Sequence, residues 1–136
     1  MDLKKLAEFR NAHNPYASLL GIRVEEIGSG TARVTLHLED KHLNPVGVPH
    51  GGVYFSMADT ACGSAMASHG YYAVTVNADY SFLRSGQPGD TLTAVASEVK
   101  GGRTLCVYDV RITDQNGGLL GTGTFTFYKL DREIQL

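Results

Sequence analysis

The sequence predicts an α+β fold in which a curved antiparallel sheet of about six strands wraps one long central helix, with a short helix in front. Three observations carry this. Residues 52–68 (GVYFSMADTACGSAMAS) are almost all apolar or small and show no two-residue alternation, so a stretch of this length is expected to be a helix. Most of the remaining apolar residues alternate with polar ones, as in strands that bury one face. Between the alternating runs lie hairpin signals, Lys100-Gly101-Gly102 and Asp114-Gln115-Asn116-Gly117-Gly118.

In chain order, residues 2–12 read as an amphipathic helix, with Leu3, Leu6, Ala7 and Arg10 at helical spacing, and Asn14-Pro15 ends it. Residues 21–27 are a strand closed by Gly28-Ser29-Gly30. In Thr31–Glu39, Ala32, Val34, Leu36 and Leu38 form one face of a second strand. A polar loop from Asp40 to Pro49 leads into the long helix. That helix is apolar on every side, so it is expected to be buried on every side. Its small residues allow another backbone to come close, and Gly63 costs helix propensity that packing must offset.

Four more strands follow, read as an antiparallel meander. The first alternates Val74, Val76, Ala78, Tyr80 and Phe82 with Thr75, Asn77, Asp79 and Ser81. Then come Thr91–Val99, Thr104–Thr113 and Leu119–Leu130, with DREIQL as a polar tail. One helix cannot be covered by loops, so the sheet must curl around it, which is the hotdog arrangement. The 136 residues are expected to form a single domain spanning 1–136.

Composition narrows the function classes. The net charge of −2 provides no basic face for nucleic acid or an anionic membrane. The charged N-terminus MDLKKLAEFRNAH does not read as a signal peptide, and no run of 18 apolar residues exists, so a cytoplasmic location is the expectation. Cys62 and Cys106 sit in apolar stretches and are expected to be buried, reduced thiols. His13, His37, His42, His50 and His69 lack ligand spacing, so no metal is expected. There is no Gly-x-Ser-x-Gly elbow, and neither cysteine has a histidine near it in sequence.

Asp59 is the most informative residue, being the only charged group between Gly51 and Ser68. A carboxylate inside an apolar helix is costly unless it is paired or hydrogen-bonded. Such a group suits a general base or nucleophile, and the ordinary alternative is a carboxylate facing a solvent gap. His50-Gly51-Gly52 precedes the helix. Glycines at a helix start leave N–H groups unobstructed at the positive end of the dipole, which fits a carbonyl oxygen that becomes an oxyanion; otherwise the pair simply makes a turn. Gly51 and Asp59 are eight positions apart, roughly 12 Å along a helix. One carbonyl group cannot touch both in one chain, so if both act, a second subunit must supply one of them. Asp79 is expected to be solvated. Arg84 and Arg103 are candidates for phosphate contacts, although a solvated surface role is the ordinary one for each.

The run from His42 to Ala61, HLNPVGVPHGGVYFSMADTA, resembles the hotdog-fold acyl-CoA thioesterases of the phenylacetate-degradation type: an asparagine, then HGG, then a helix carrying (L/M)AD. FLRSGQPGDTL at 82–92 is similar as well, and the likeness covers roughly residues 14–129. The resemblance implies hydrolysis of an acyl-CoA. Asp59 would be the general base or nucleophile and Gly51 of a partner subunit the N–H donor to the thioester oxygen, with Gly52 beside it. Asn44 would position the water or leaving group, His50 would support the site, and Thr75 would orient the attacking water. It further implies a homotetramer, a dimer of hotdog dimers, with CoA across the subunit interface near Arg84 or Arg103. No cofactor is implied beyond coenzyme A as part of substrate and product. Tyr54, Met57, Met66 and Phe82 are candidates for the acyl pocket or plain core, and an aryl-acetyl, benzoyl or medium-chain acyl group would suit it. Two other readings use the same fold: a hydratase or dehydratase, for which His50 is the candidate proton carrier, and a non-catalytic acyl-CoA-binding module, which has no need of Asp59.

Overall fold

The computed structural model describes all residues, 1–136. Two helices, α1 (Leu3–Ala12) and α2 (Pro15–Leu20), precede strands β1 (Arg23–Gly28) and β2 (Thr31–His37). A 3-10 turn at Asp40–His42 leads to the long helix α3 (Gly51–Ala67), followed by β3 (Tyr71–Phe82), β4 (Thr91–Gly101), β5 (Leu105–Thr113) and β6 (Leu119–Glu133). The six strands form one antiparallel sheet in the order β1-β2-β4-β5-β6-β3, curled around α3. This is the hotdog fold.

The core is the interface between α3 and the concave face of the sheet. Met57, Ala58, Ala61, Cys62 and Ala65 of the helix are fully covered, against Val34, Leu92, Ala94, Tyr108, Ile112 and Phe125 from the strands. Alternation explains the sheet side: β2 buries Ala32, Val34 and Leu36, leaves Thr31, Arg33 and His37 exposed and half-covers Thr35. Burial removes apolar area from water at about 25 cal/mol per Å2, and this interface is where most of that gain lies.

Both ends of α3 are tied down. At its start His50 is the N-cap, its Nδ1 accepting the Gly52 N–H at 2.8 Å. Just past its end, the Gly30 N–H donates to Ser68 Oγ at 2.9 Å, and His69 Nε2 lies 2.6 Å from Glu98 Oε1, which also accepts from Tyr108 OH at 2.7 Å. The loop before α3 is anchored through His42, which is buried. Its Nδ1 accepts the Glu39 N–H and its Nε2 donates to the Leu20 carbonyl, so two main-chain partners fix the tautomer.

The structure corrects four expectations. Asn14-Pro15 does end α1, but it also starts α2: Asn14 Oδ1 accepts the Ala17 N–H at 3.1 Å and Pro15 sits at the first helical position, where its missing N–H costs nothing. The last four strands are not a simple meander. Only β4-β5-β6 is one; β3 leaves α3 on the far side, pairs with β6 and forms the opposite edge from β1. Alternation identifies a strand but not its neighbours. The tail is not merely polar, since β6 runs to Glu133 and Ile134 is buried. Finally, α3 is not covered all round. Gly52, Phe55, Ser56, Asp59 and Gly63 are partly or wholly open, spaced three or four apart along one stripe.

Close packing between β3 and β6 depends on Gly121, because a Cβ there would lie 2.1 Å from Tyr80 OH and 2.7 Å from the Ser81 carbonyl oxygen. The Tyr80 hydroxyl is itself buried with no hydrogen-bond partner, and burial pushes its pKa up to about 12. Gly121→Ala is therefore expected to cost about 2 kcal/mol in denaturant unfolding. Tyr80→Phe should be neutral within about 0.5 kcal/mol, because it removes an unpaired hydroxyl. In the Tyr80→Phe background Gly121→Ala should cost less, and an unchanged cost there would place the clash on the Tyr80 ring carbon and the Ser81 carbonyl, which remain.

Candidate active site

Asp59 occupies the middle of the open stripe of α3. Its carboxylate accepts a hydrogen bond from Thr75 Oγ1 on β3 at 2.6 Å. Both line a cavity of about 290 Å3 between α1, α3, β3 and β6, together with Arg10, Tyr72, Gly63 and Phe127.

The way Thr75 reaches this cavity departs from the strand pattern read in the sequence. On unbroken alternation Thr75 would face away from the side bearing Ala78 and Tyr80. Instead, the pairing with β6 slips between Thr75 and Asn77: Thr75 opposes Phe127 and Asn77 opposes Thr126, so Val76 is the extra residue of a bulge. The bulge turns Thr75 inward, along with Ala78 and Tyr80 beyond it, and leaves Val74 and Val76 about half exposed.

The N-terminus of α3 forms a separate place. The Gly52 N–H is taken by His50, while the Gly51 N–H has no partner within the chain. Gly51 lines a second cavity of about 350 Å3 with Val48, Tyr54, Phe82, Leu83 and Arg84. A Cβ at Gly51 would sit 3.3 Å from the Phe82 ring. Asp59 and Gly51 thus open into different cavities of one protomer, at the separation the helix rise requires.

Asn44 is half-buried in the loop before the helix. Its Oδ1 accepts the N–H groups of Val46 and Val48 at 3.0 and 3.2 Å, so in the protomer the side chain shapes its own loop. Arg84 forms an ion pair with Asp114 at the β5–β6 turn. Hydrogen bonds from the Gly118 and Asn116 N–H groups and from Arg84 hold that carboxyl below the usual carboxylate range. Arg103 lies in the turn at the other end of β5, roughly 27 Å along the strand from the Arg84 end, so the two arginines of one chain cannot grip the same phosphate. Of the residues considered for an acyl pocket, Met57 and Met66 are core, Tyr54 is buried with its OH accepting the Gly86 N–H, and Phe82 is exposed.

Sequence reasoning missed Arg10. It sits on the apolar stripe of α1, its Nε donates to Ser64 Oγ at 2.9 Å, and it lines the same cavity as Asp59. A cation at the fourth place of the stripe Leu3, Leu6, Ala7, Arg10 was the signal. Burial lowers the guanidinium pKa from its ordinary value, and the charge of Asp59 counteracts that. The two thiols are buried and unpaired with each other, as expected. Burial first, then the nearby Asp59 charge, pushes the Cys62 thiol far up.

Helix-in-sheet architecture, with a carboxylate opening from the middle of the helix, places this protein in the hotdog class. Residues 46–120 match the family model of the thioesterase superfamily. The acyl-coenzyme A thioesterase PaaI of Escherichia coli is 40% identical over 112 residues, covering 79% of this chain and 80% of that protein. The solved structure of the E. coli PaaI protein, from the phenylacetic acid degradation operon, superposes with a TM-score of 0.92 at 32% identity, covering 97% of this chain and 96% of that one. A thioesterase protein from Streptococcus pneumoniae solved with coenzyme A gives a TM-score of 0.79 at 33% identity over 83% of this chain and 88% of that one. The S. pneumoniae protein has also been solved with an aspartate and, separately, a threonine sixteen positions further on replaced by alanine. The chain belongs to the thioesterase superfamily.

A thiol this buried and this weakly acidic makes a poor nucleophile. Cys62→Ala is expected to keep thioester hydrolysis within about threefold of wild type, and neither cysteine should react with a thiol reagent until the protein is unfolded. Loss of activity together with fast native labelling would instead point to sulfur chemistry.

Proposed function

We propose that the protein is an acyl-CoA thioesterase that hydrolyses a small aryl- or medium-chain acyl-CoA to the free acid and CoA. The observation that carries this reading is the Thr75–Asp59 hydrogen bond of 2.6 Å on the open wall of a cavity large enough for a small acyl group. The spacing from Asp59 to Thr75 is sixteen residues, the same as between the aspartate and threonine replaced in the S. pneumoniae relative.

In this reading Asp59 acts in one of two ways. As general base it takes a proton from water as the water oxygen bonds to the thioester carbon, with Thr75 holding the carboxylate in place. As nucleophile it attacks that carbon itself, giving a mixed anhydride that water then opens. In both, the C–S bond breaks, the sulfur leaves as CoA thiolate and is protonated, and the carbonyl oxygen carries the developing negative charge. A free N–H at the positive end of a helix is suited to stabilise that charge, and Gly51 supplies one.

Since Gly51 and Asp59 of one chain open into separate cavities, the complete site pairs Asp59 of one subunit with Gly51 of another. Strand β3 supports this assembly. It is twelve residues long, lies at the edge of the sheet and exposes Val74 and Val76 by 49% and 54%, so its outer backbone groups and side chains are free to pair with a second copy. A tetramer made of two such dimers follows from the family resemblance. Coenzyme A would lie across the subunit boundary, with Asn44 and His50 shaping the loop beside it, Gly52 behind Gly51, and Arg84 on the rim. A cytoplasmic location and the absence of any membrane or nucleic-acid partner complete the proposal. No helix is long and apolar enough to cross a membrane.

Two experiments test this reading. Release of free thiol from a panel of acyl-CoAs should be seen with wild type. Asp59→Asn should lower the rate by about a thousandfold, Thr75→Ala by about tenfold, and Thr75→Ser should restore most of it. No thiol release from any ester would reject the reading. For the shared site, Gly51→Pro removes the N–H at a helix position that tolerates proline. Mixing inactive Asp59→Asn and inactive Gly51→Pro subunits should recover about a quarter of wild-type activity through hybrid dimers that hold one intact site. No recovery on mixing would place both groups in one subunit's site.

A further inference from the structure

Arg10 is a cation that feels the charge of Asp59 across the cavity but has no carboxylate in contact. Only its Nε is engaged, by Ser64 Oγ at 2.9 Å, and Ser64 is fully buried. The ion pairs of the chain all lie elsewhere, so no carboxylate comes within 4 Å of its guanidinium. A guanidinium carries five N–H donors in a fixed fork, which leaves most of them unspent. It lines the same cavity as Asp59, among Tyr71, Tyr72 and Phe127.

The helix is shaped to admit it. A Cβ at Gly63 would lie 3.3 Å from Arg10 Nη2 and 3.5 Å from the Phe127 ring. Gly63 therefore provides the gap through which the guanidinium enters, and this offsets the helix propensity that glycine gives up. Taking a cation partly out of water is costly, and the charge of Asp59 only partly offsets that here, so the arrangement makes sense where a ligand supplies a contacting partner. The geometry is that of a receptor: a charged fork fixed by a buried serine, one helical turn beyond the carboxylate that would act on the thioester, in a cavity with aromatic walls.

We propose that Arg10 is a specificity residue that binds a carboxylate at the far end of the acyl group, so that the preferred substrates are CoA esters of dicarboxylic acids. The proposal rests on the thioesterase reading and narrows its medium-chain class. Gly63 lies one turn from Asp59, about 6 Å along the helix, so the acyl carboxylate should stand four or five bonds from the thioester carbon. Such an acid has five or six carbons. Asp59 and Arg10 then divide the cavity, with the carboxylate of the enzyme at the reacting end and that of the substrate at the cationic end.

The test is equilibrium binding of two CoA thioethers of matched length, S-(carboxypentyl)-coenzyme A and S-hexyl-coenzyme A, to the wild-type protein. Neither contains a cleavable ester, so the result does not depend on Asp59 driving hydrolysis. The carboxylated compound is expected to bind about tenfold or more tightly than the alkyl one. Arg10→Met should erase that preference while S-hexyl binding stays within about twofold, and Arg10→Gln, which retains a donor toward Ser64, should behave the same way. Equal binding of the two by wild type, or a loss that affects both compounds alike in both variants, would overturn the proposal. Failure of the acyl-CoA panel to release thiol would count against the thioesterase reading and leave this binding preference standing.

Discussion

Everything in this protein depends on the need to cover α3. Seventeen residues that are mostly apolar or small, with one charged side chain among them, cannot stand in water, and no other helix in the chain is long enough to pair with them. The sheet must therefore bend around the helix, and it does so with strands that bury alternate residues on the concave side. The small side chains at Ala58, Ala61 and Ala65 let the strands approach, and the large ones at Tyr108, Phe125 and Ile112 fill the space from the sheet side. Because the helix is enclosed on most of its circumference, the one stripe left open becomes the only route by which solvent or a ligand reaches its middle. Asp59 occupies that stripe, so the same constraint that builds the core also exposes the carboxylate.

Two devices convert this scaffold into a defined cavity. At the helix end, the Ser68–Gly30 and His69–Glu98–Tyr108 contacts tie the helix to the sheet, which fixes the height of Asp59. On the facing wall, the bulge at Val76 sets which β3 side chain meets it. The Glu98 carboxyl in the second contact is subject to opposing effects: burial would raise its pKa, and the hydrogen bonds from Tyr108 and His69 outweigh that and hold it below the usual range. It therefore accepts both bonds as an anion.

Much of this was legible in the sequence, for physical reasons. The central helix and five of the strands announce themselves through periodicity, since burying one face of a strand forces a two-residue repeat and burying a whole helix removes any repeat. Asp59 stood out because a charge among small apolar residues has no cheap explanation. Neighbours and phase were not legible. Local alternation carries no information about which edge β3 joins, nor does it reveal an extra residue, so Thr75 came from resemblance while its inward direction came only from the pairing register. Arg10 was hidden for a similar reason. It is 54 positions from Ser64, and in the sequence it reads as the polar end of an amphipathic stripe. The second helix was missed because Asn14-Pro15 signals an end and a beginning equally well.

The extra residue at Val76 has a consequence for how such a protein can change over time. It divides β3 into two segments with independent phase. The segment beyond it packs Ala78 and Tyr80 on the core, and the segment before it turns Tyr71 and Thr75 to the cavity while Tyr72 and Ala73 serve the cavity and the core together. Replacements at cavity positions off the core, Tyr71 and Val74, can alter the shape and chemistry of the cavity without disturbing the register that holds the second segment in place. Descendants of one ancestral chain could in this way diversify their ligands while inheriting an unchanged core.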